Sequence, residues 1–410
     1  MKALQIRRKV ARLGAARMVA GVSGAAAARL GPLEYRTIDP PALPGPGWQR
    51  VTTALAGICG SDLSVVHGHA STYFEDWVSF PFVPGHEVVG TLDDGTRVVL
   101  EPVLGHCARG FAPPFEGAAP GDGDDYAHLV TAGREMELEP GIQIGFCEST
   151  GGGWSPQFVA HESQLHRVPD AVSDEQAVLI EPLAGGIHAA LKTLTVTERA
   201  RAAGAQPIVA VLGAGTMGLA AIAGLSRYVP DARIVVGARY GHQRRLAAEL
   251  GAEVVVAPDD LLRAVRRLSG GHMIGGSLSS GAHATIDAVG TSASISASLA
   301  MTRPRGRVVV LGMPADVSLD LTGLWHRETE LVGAYTYGTE TLADHTTTTT
   351  FALAIETAAA IGAERLLSAT YRLDDHVQAL RHAAEAGRRG AVKIAFDLRR
   401  DPGQTTKGDR

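Results

Sequence analysis

Hydrophobic and polar positions follow two rhythms along this chain. Up to about residue 180 the apolar runs are short and strand-like, and Gly and Pro break them repeatedly, as at Pro40, Pro41, Pro44 and Pro46. Val88–Leu100 predicts a hairpin, with Asp94-Gly95 as the turn between two apolar strands. Residues 104–155 carry many Gly, Pro and Asp with little periodicity, which predicts a long irregular lobe. Loops of that size in compact domains are usually functional or disordered. From about residue 205 strands and helices alternate. Ile208–Leu212, Arg233–Val236, Glu253–Val256, Thr285–Val289, Arg307–Leu311 and Glu330–Val332 are apolar runs, with helical patterns from Thr216 and over Gln243–Leu250. About six strands alternating with helices predict a parallel, doubly wound sheet. Residues 351–360 and 374–386 are helical in pattern, and Val392–Phe396 is a closing strand.

Composition narrows the class. A length of 410 residues suggests two to three domains at roughly 150 residues each. Hydrophobic residues at 45% and charged residues at 20% are ordinary for a globular protein and exclude disorder for most of the chain. No apolar run approaches the roughly 18 residues that a membrane helix needs, so no membrane partner is expected. A net charge of −5 argues against a broad nucleic-acid surface. Glycine, at 49, exceeds the roughly 29 that average usage would give, a sign of turns and close backbone approaches. The three cysteines, Cys59, Cys107 and Cys147, cannot all pair, so a reducing, cytoplasmic compartment is expected rather than a disulfide framework. Residues 1–33 hold seven basic residues and no acid, the signature of a targeting segment. Against that reading, Arg17 and Arg29 bracket the only apolar stretch and Gly21 and Gly24 dilute it, so a first strand and hairpin is the plainer expectation.

Gly213-Ala214-Gly215-Thr216-Met217-Gly218 is a G-x-G-x-x-G that follows an apolar strand and opens a helix, the context that gives the motif meaning. The first glycine permits a tight turn, the second lets backbone approach a pyrophosphate, and the third allows close helix–strand packing. The helix N-terminus offers free N–H groups and partial positive charge to the phosphates. About 20 residues on, an acid would mark NAD by binding the ribose 2′-hydroxyl. The chain instead reads Gly237-Ala238-Arg239-Tyr240. Gly237 leaves room for a 2′-phosphate, Arg239 can pair with it, Tyr240 can pack on adenine and Arg244 adds charge, so NADP(H) is the expected cofactor.

Gly57-Ile58-Cys59-Gly60-Ser61-Asp62 sets a cysteine in a glycine-flanked turn, Gly85-His86-Glu87 follows 27 residues after Cys59, and Glu181-Pro182-Leu183 opens a helix before the nucleotide-binding unit. Together they offer thiolate, imidazole and carboxylates, the ligand types of tetrahedral zinc, whose catalytic sites keep one position open. Alone, each has a plainer reading: a buried thiol, a turn histidine, an acid in a first helical turn. Their order before a dinucleotide fold resembles the zinc-dependent medium-chain dehydrogenase/reductase superfamily, through GICGSD at 57–62, PGHEVVG at 84–90, EPLAGGIHA at 181–189 and GAGTMG at 213–218. The polyol, threonine and glucose dehydrogenase branch looks most similar.

That resemblance implies an α/β chain with a GroES-like β-barrel catalytic domain over 1–185, a Rossmann domain over 186–335 and a C-terminal return over 336–410. It implies one catalytic zinc on Cys59 and His86, with Glu87 a direct ligand or just behind the ligands, and Glu181 a further ligand directly or through water. Ser61 matches the family's proton-relaying hydroxyl. The next relay position is Ser64 here, leaving His67 and His69 as candidates beside it. Many members carry a second, structural zinc on four cysteines, but Phe115, Ala118 and Tyr126 fall where three of those would be. No structural zinc is expected, and the lobe is expected to rely on packing by Phe111, Phe115 and Tyr126, or on its long connection. The pocket is expected to draw on Ser61, on Tyr73, Phe74 and Trp77, and on Gly151–Trp154. The implied activity is an NADP-dependent alcohol dehydrogenase or carbonyl reductase acting on a small polar or secondary alcohol, as a homodimer or homotetramer. A zinc-independent C=C or C=N reductase and a non-catalytic NADPH-binding module are the competing readings.

Overall fold

The computed structural model describes residues 1–9, 14, 16, 18 and 31–399. Most of the basic stretch weighed as a targeting segment, and the hairpin expected in its place, lie outside the described residues. The chain divides into two compact units, Met1–Glu181 with Gly362–Arg410, and Pro182–Ile361. Residues 336–361 therefore group with the second unit, not with the returning segment.

The first unit opens with β1 (Lys2–Ile6) and β2 (Leu33–Thr37), an antiparallel pair. It continues with β3 (Trp48–Gly57), helix α1 (Gly60–Val66), β4 (Val88–Leu92), β5 (Arg97–Leu100), β6 (Gln157–His161) and β7 (Leu165–Arg167). The expected hairpin is β4–β5, closed by Gly95 in the left-handed region at φ 84°. Strand β3 pairs with β4 over Val51–Ala56 and with β6 over Trp48–Thr52. Its residues Val51 and Ala56 join a core with Val88, Val98, Phe158 and Phe396. Among the described residues, the span between β5 and β6 holds only two short 3-10 turns, as its composition predicts.

Helix α2 (Ile180–Leu191) leads into the second unit. There follow β8 (Ile208–Leu212), α3 (Thr216–Tyr228), β9 (Arg233–Gly237), α4 (Gly241–Glu249) and β10 (Val254–Val256). A small hairpin, β11 (Met273–Ile274) and β12 (Ser277–Leu278), precedes β13 (Ala282–Asp287), α5 (Ser292–Met301), β14 (Thr302–Val310) and β15 (Glu330–Gly333). These build a six-stranded sheet of order β10-β9-β8-β13-β14-β15, with every pair parallel. All five residues of β8 are buried, as a central parallel strand covered on both faces must be. The expected strand Thr285–Val289 is shifted. It ends at Asp287 because that side chain takes the N–H groups of Val289 and Gly290, turning the chain.

A second hairpin, β16 (Thr339–Thr341) with β17 (Thr347–Thr349), and helix α6 (Thr350–Ala360) finish this unit. The chain returns to the first unit with β18 (Leu367–Tyr371), helix α7 (His376–Ala384) and β19 (Lys393–Asp397). Strand β19 pairs with β18 and with β3, extending the sheet to seven strands. No helix among the described residues is long and apolar enough to cross a membrane.

Candidate metal centre and dinucleotide turn

Cys59 caps the N-terminus of α1, one residue beyond the peptide Ile58 N–H that bonds to Ile394 of β19. His86 and Glu87 occupy the turn into β4. Gly85 takes φ 96°, and a Cβ there would lie 2.4 Å from Trp154 Cδ1. Trp154 is fully buried and donates its ring N–H to the Gly57 carbonyl at 3.1 Å. Gly57 is required for a second reason: a Cβ on it would fall 2.0 Å from Glu87 Oε2. The glycines around Cys59 and His86 thus make room for the donors. As a result the thiol of Cys59, the imidazole of His86 and the carboxylate of Glu87 each bring one ligand atom within 4.8 Å of the others, the only such group among the described residues.

Two further charges organise these donors. Asp62, 2% exposed, accepts the Cys59 N–H at 3.0 Å through Oδ2, and its Oδ1 lies 3.5 Å from His86 Nδ1. Neither Oδ1 nor Nδ1 is hydrogen-bonded elsewhere, so Asp62 spans both positions. That arrangement favours the proton on Nδ1 and leaves Nε2 as the ring's lone-pair donor. Lys393 of β19 is buried and donates to Glu87 Oε1 and Oε2 at 2.5 and 2.6 Å, and to the Ile58 carbonyl at 3.3 Å. A carboxylate offers about four lone-pair sites, so Glu87 keeps acceptor capacity beyond the two that Lys393 uses.

The electrostatics follow from burial and proximity. Burial opposes a charged His86, but Asp62, Cys59 and Glu181 outweigh it and hold its pKa well above the ordinary value. Burial raises the Asp62 pKa, partly offset by His86 and the Cys59 N–H. Burial works against the Lys393 ammonium too, yet Glu87, Cys59 and Glu181 raise its pKa. Metal binding needs a neutral imidazole and a thiolate, so zinc displaces protons here. The donor set fits zinc: one sulfur, one nitrogen and one oxygen atom converge, the last two from buried residues.

The remaining expected residues fall as follows. Glu181, near the start of α2, acts on His86 and Lys393 electrostatically, but its carboxylate is outside the convergent group. Ser61 Oγ lies 3.5 Å from His86 Nε2. Ser64 bonds back to the Gly60 carbonyl of its own helix. His67 ends α1 with a buried Nε2 that has no hydrogen-bond partner, and burial and His69 lower its pKa. Tyr73, Phe74, Trp77 and Tyr126 form a chain of edge and tilted ring contacts with centroids 5.0–6.1 Å apart. Trp154, expected to line the pocket, is instead packed behind the donors and edge-on to Phe396. Neither Asp62 nor Lys393 was singled out by the sequence. Asp62 lies inside GICGSD, three residues from Cys59 on the same helical turn, a spacing that could have found it.

The glycine-rich turn sits between β8 and α3. Gly213 takes φ 91°. Gly215 caps α3 in an extended conformation, and a Cβ there would meet nothing within 4 Å, so its outer side is open to a ligand. A Cβ on Gly218 would fall 2.0 Å from the Gly213 carbonyl oxygen, the close helix–strand approach expected of the third glycine. Thr216 and Met217 form the first turn of α3. Gly237 ends β9, Arg239 is exposed, and Tyr240 caps α4 with its ring stacked on His242. Arg244 Nη1 donates to the carbonyls of Ala238 and Arg239 at 3.1 and 2.9 Å, fixing the backbone that carries Arg239.

Known proteins match both units. Residues 45–170 match the alcohol dehydrogenase GroES-like domain and residues 216–351 match the zinc-binding dehydrogenase domain. The sorbitol dehydrogenase of Bos taurus is 29% identical over 321 residues, spanning 75% of this chain and 80% of that protein. The erythritol/L-threitol dehydrogenase of Mycolicibacterium smegmatis is 27% identical over 329 residues, 74% of this chain and 81% of its own length. Among solved structures, the 2R,3R-butanediol dehydrogenase of Bacillus subtilis superposes with a TM-score of 0.67 at 20% identity, covering 97% of this chain and 99% of that one, a likeness of fold. The GroES-like unit carries the zinc donors and the Rossmann-type unit carries the glycine-rich turn. With the two domain models matched over separate stretches, the chain carries the alcohol dehydrogenase GroES-like domain and the zinc-binding dehydrogenase domain of the zinc-dependent medium-chain dehydrogenase/reductase (alcohol dehydrogenase) superfamily.

Proposed function

We propose that this zinc-dependent oxidoreductase interconverts a secondary hydroxyl of a polyol-like substrate and the matching ketone, with NADP(H) as hydride partner. The observation that carries the reading is the convergent Cys59–His86–Glu87 donor group, with His86 and Glu87 buried and Cys59 half-buried, braced by Asp62 and Lys393. The names of the sorbitol and erythritol/L-threitol dehydrogenases support a polyol. The lack of an acid after β9, with exposed Arg239 on a backbone fixed by Arg244, supports the 2′-phosphate. Cysteine usage supports a cytoplasmic location. The substrate is a small molecule rather than a nucleic acid.

Cys59, His86 and Glu87 would hold zinc, with Glu181 as a further ligand directly or through water, and the ion would supply Lewis acidity to a substrate oxygen while the dinucleotide would supply the hydride acceptor. Ser61, whose Oγ lies 3.5 Å from His86 Nε2, would take the hydroxyl proton and pass it to solvent. Asp62 keeps the His86 ring in one tautomer throughout. Lys393 balances the Glu87 charge, so the thiolate and carboxylate donors do not have to be neutralised by zinc alone. The turn formed by Gly213, Gly215, Thr216, Met217 and Gly218 would hold the phosphates, and Gly237, Arg239, Tyr240 and Arg244 would receive the adenosine end.

A panel of polyols and simple secondary alcohols, assayed with NADP⁺ and NAD⁺ on protein of measured zinc content, tests this. Turnover of a polyol with NADP⁺ is expected, with about one zinc per chain. C59S and H86A are expected to lose turnover while keeping cofactor binding, and R239E to shift preference toward NAD⁺. Near-normal activity in C59S or H86A overturns the zinc mechanism, and a wild-type preference for NAD⁺ overturns the 2′-phosphate reading.

A further inference from the structure

Asp287 ends β13 fully buried, and no step of the reaction above uses it. Its Oδ1 accepts the N–H groups of Val289 and Gly290 at 2.8 and 3.1 Å, and its Oδ2 accepts the Ser294 hydroxyl at 2.7 Å. A buried carboxylate is costly unless its lone pairs are met; here all three donors belong to the turn and helix that follow it. The main chain ties the same turn to both neighbouring strands. Ala288 N–H donates to Leu212 of β8, and the Asp287 carbonyl accepts the N–H groups of Leu311 and Gly312 just beyond β14. The fit is tight on each side: a Cβ on Gly213 would lie 2.9 Å from Val289 Cγ2, and one on Gly290 would lie 3.0 Å from the Gly312 carbonyl carbon.

The sheet order gives this turn its place relative to a ligand. From β8 the chain steps outward through β9 and β10, and it then resumes on the other side through β13, β14 and β15. The switch point lies between β8 and β13, where ligands of open α/β sheets bind at the carboxyl ends of the strands. With phosphates at the glycine-rich turn after β8 and the ribose-selecting residues after β9, the other half of a dinucleotide extends over the end of β13. Val289, 50% exposed, presents an apolar surface there. We propose that Asp287 is a positioning residue for the nicotinamide half of the cofactor: its carboxylate locks residues 288–290 against Gly213 and Gly312 so that Val289 stands in one place beneath that half.

The proposal rests on the dinucleotide reading, and one set of titrations separates the two. NADPH and 2′,5′-ADP, which lacks the nicotinamide half, are titrated into zinc-loaded wild type, D287A, D287N and S294A. If the competent turn is populated about a tenth of the time without its anchor, the NADPH Kd rises about tenfold in D287A. D287N keeps an acceptor for the two N–H groups and is expected to restore affinity to within about threefold of wild type, and S294A, losing one bond, to weaken NADPH about threefold. Affinity for 2′,5′-ADP and the substrate KM at saturating cofactor are expected to stay within about twofold. Equal losses for both ligands, or no NADPH loss in the folded variants, overturns the role of Asp287. Should D287A not fold, S294A decides. Should wild type prefer NADH, the 2′-phosphate reading fails and the same comparison runs with NADH and 5′-AMP. A wild type that binds neither dinucleotide overturns both.

Discussion

Lys393 acts on the metal centre from far along the chain. Its ammonium reaches Glu87 across 306 residues of sequence, and no local pattern could have paired them. Cys59, His86 and Glu87 were legible because short glycine-flanked motifs carry them, while their counter-charges were not, because a partner chosen by folding leaves no spacing signal. The energetic consequence is testable. Removing one member of a buried ion pair strands the other charge and costs about 3–5 kcal/mol. K393M is therefore expected to lower the stability of the catalytic unit by about that much, and E87Q/K393M to recover more than half of it. Thermal or denaturant unfolding of the four members of this cycle gives the coupling; a double variant as unstable as the sum of the two singles removes the pair from the account.

At the scale of elements, strands and helices of the second unit were legible because each strand is an apolar run closed by a turn. The boundary at Asp287 was not, since a side chain that takes two backbone N–H groups ends a strand whose apolar pattern continues to Val289. The lobe between β5 and β6 holds the larger surprise. Phe115 and Tyr126, expected to pack it, are 48% and 49% exposed, and Phe111 is exposed as well. Arg109 is fully buried instead, and its guanidinium donates to the carbonyls of Thr131, Glu139 and Gly141, joining distant parts of the lobe. Burial lowers its pKa to about 10, which leaves it charged at neutral pH. A planar fork of donors suits several carbonyls at once in a way that a lysine or a neutral side chain does not. R109M would leave the buried Gly141 carbonyl without this donor, at about 1–3 kcal/mol, and would release the tie to the Thr131 and Glu139 carbonyls. The expected outcome is proteolytic nicking within residues 104–155 and a lowered unfolding temperature, with C107S unaffected. A chelator should leave the lobe protected in wild type; nicking that appears on metal removal and not in R109M would show that a metal, not Arg109, holds it.

The whole molecule is one unit interrupted by another, Pro182–Ile361; the rhythm of the sequence shows a change near residue 205 and a strand near 393, while the return itself was implied by the family resemblance. What the pattern could not announce is the use of the surface, because an apolar side chain in a short run looks the same whether a core or a second chain covers it. In the second unit, Met313, Val317, Leu321, Trp325, Leu331 and Tyr335 are all exposed, with Leu331 on β15 and Tyr335 two residues beyond it. Strand β15 is also an edge of the six-stranded sheet, paired on one side only, with β14. An edge strand with free N–H and C=O groups and apolar neighbours is a template for another strand. The simplest closed arrangement is a two-fold one in which the same edge of a second copy pairs with it. Light scattering coupled to size exclusion is expected to give at least twice the chain mass, as a homodimer or homotetramer. L331K, setting charge on β15, is expected to release monomer while leaving zinc content unchanged. A stable dimer buries about 1,200–2,000 Å² in total, so one charge at its centre should shift the equilibrium by orders of magnitude; a wild type that runs as a monomer, or a variant that remains dimeric, would assign the exposed residues around β15 to something other than self-association.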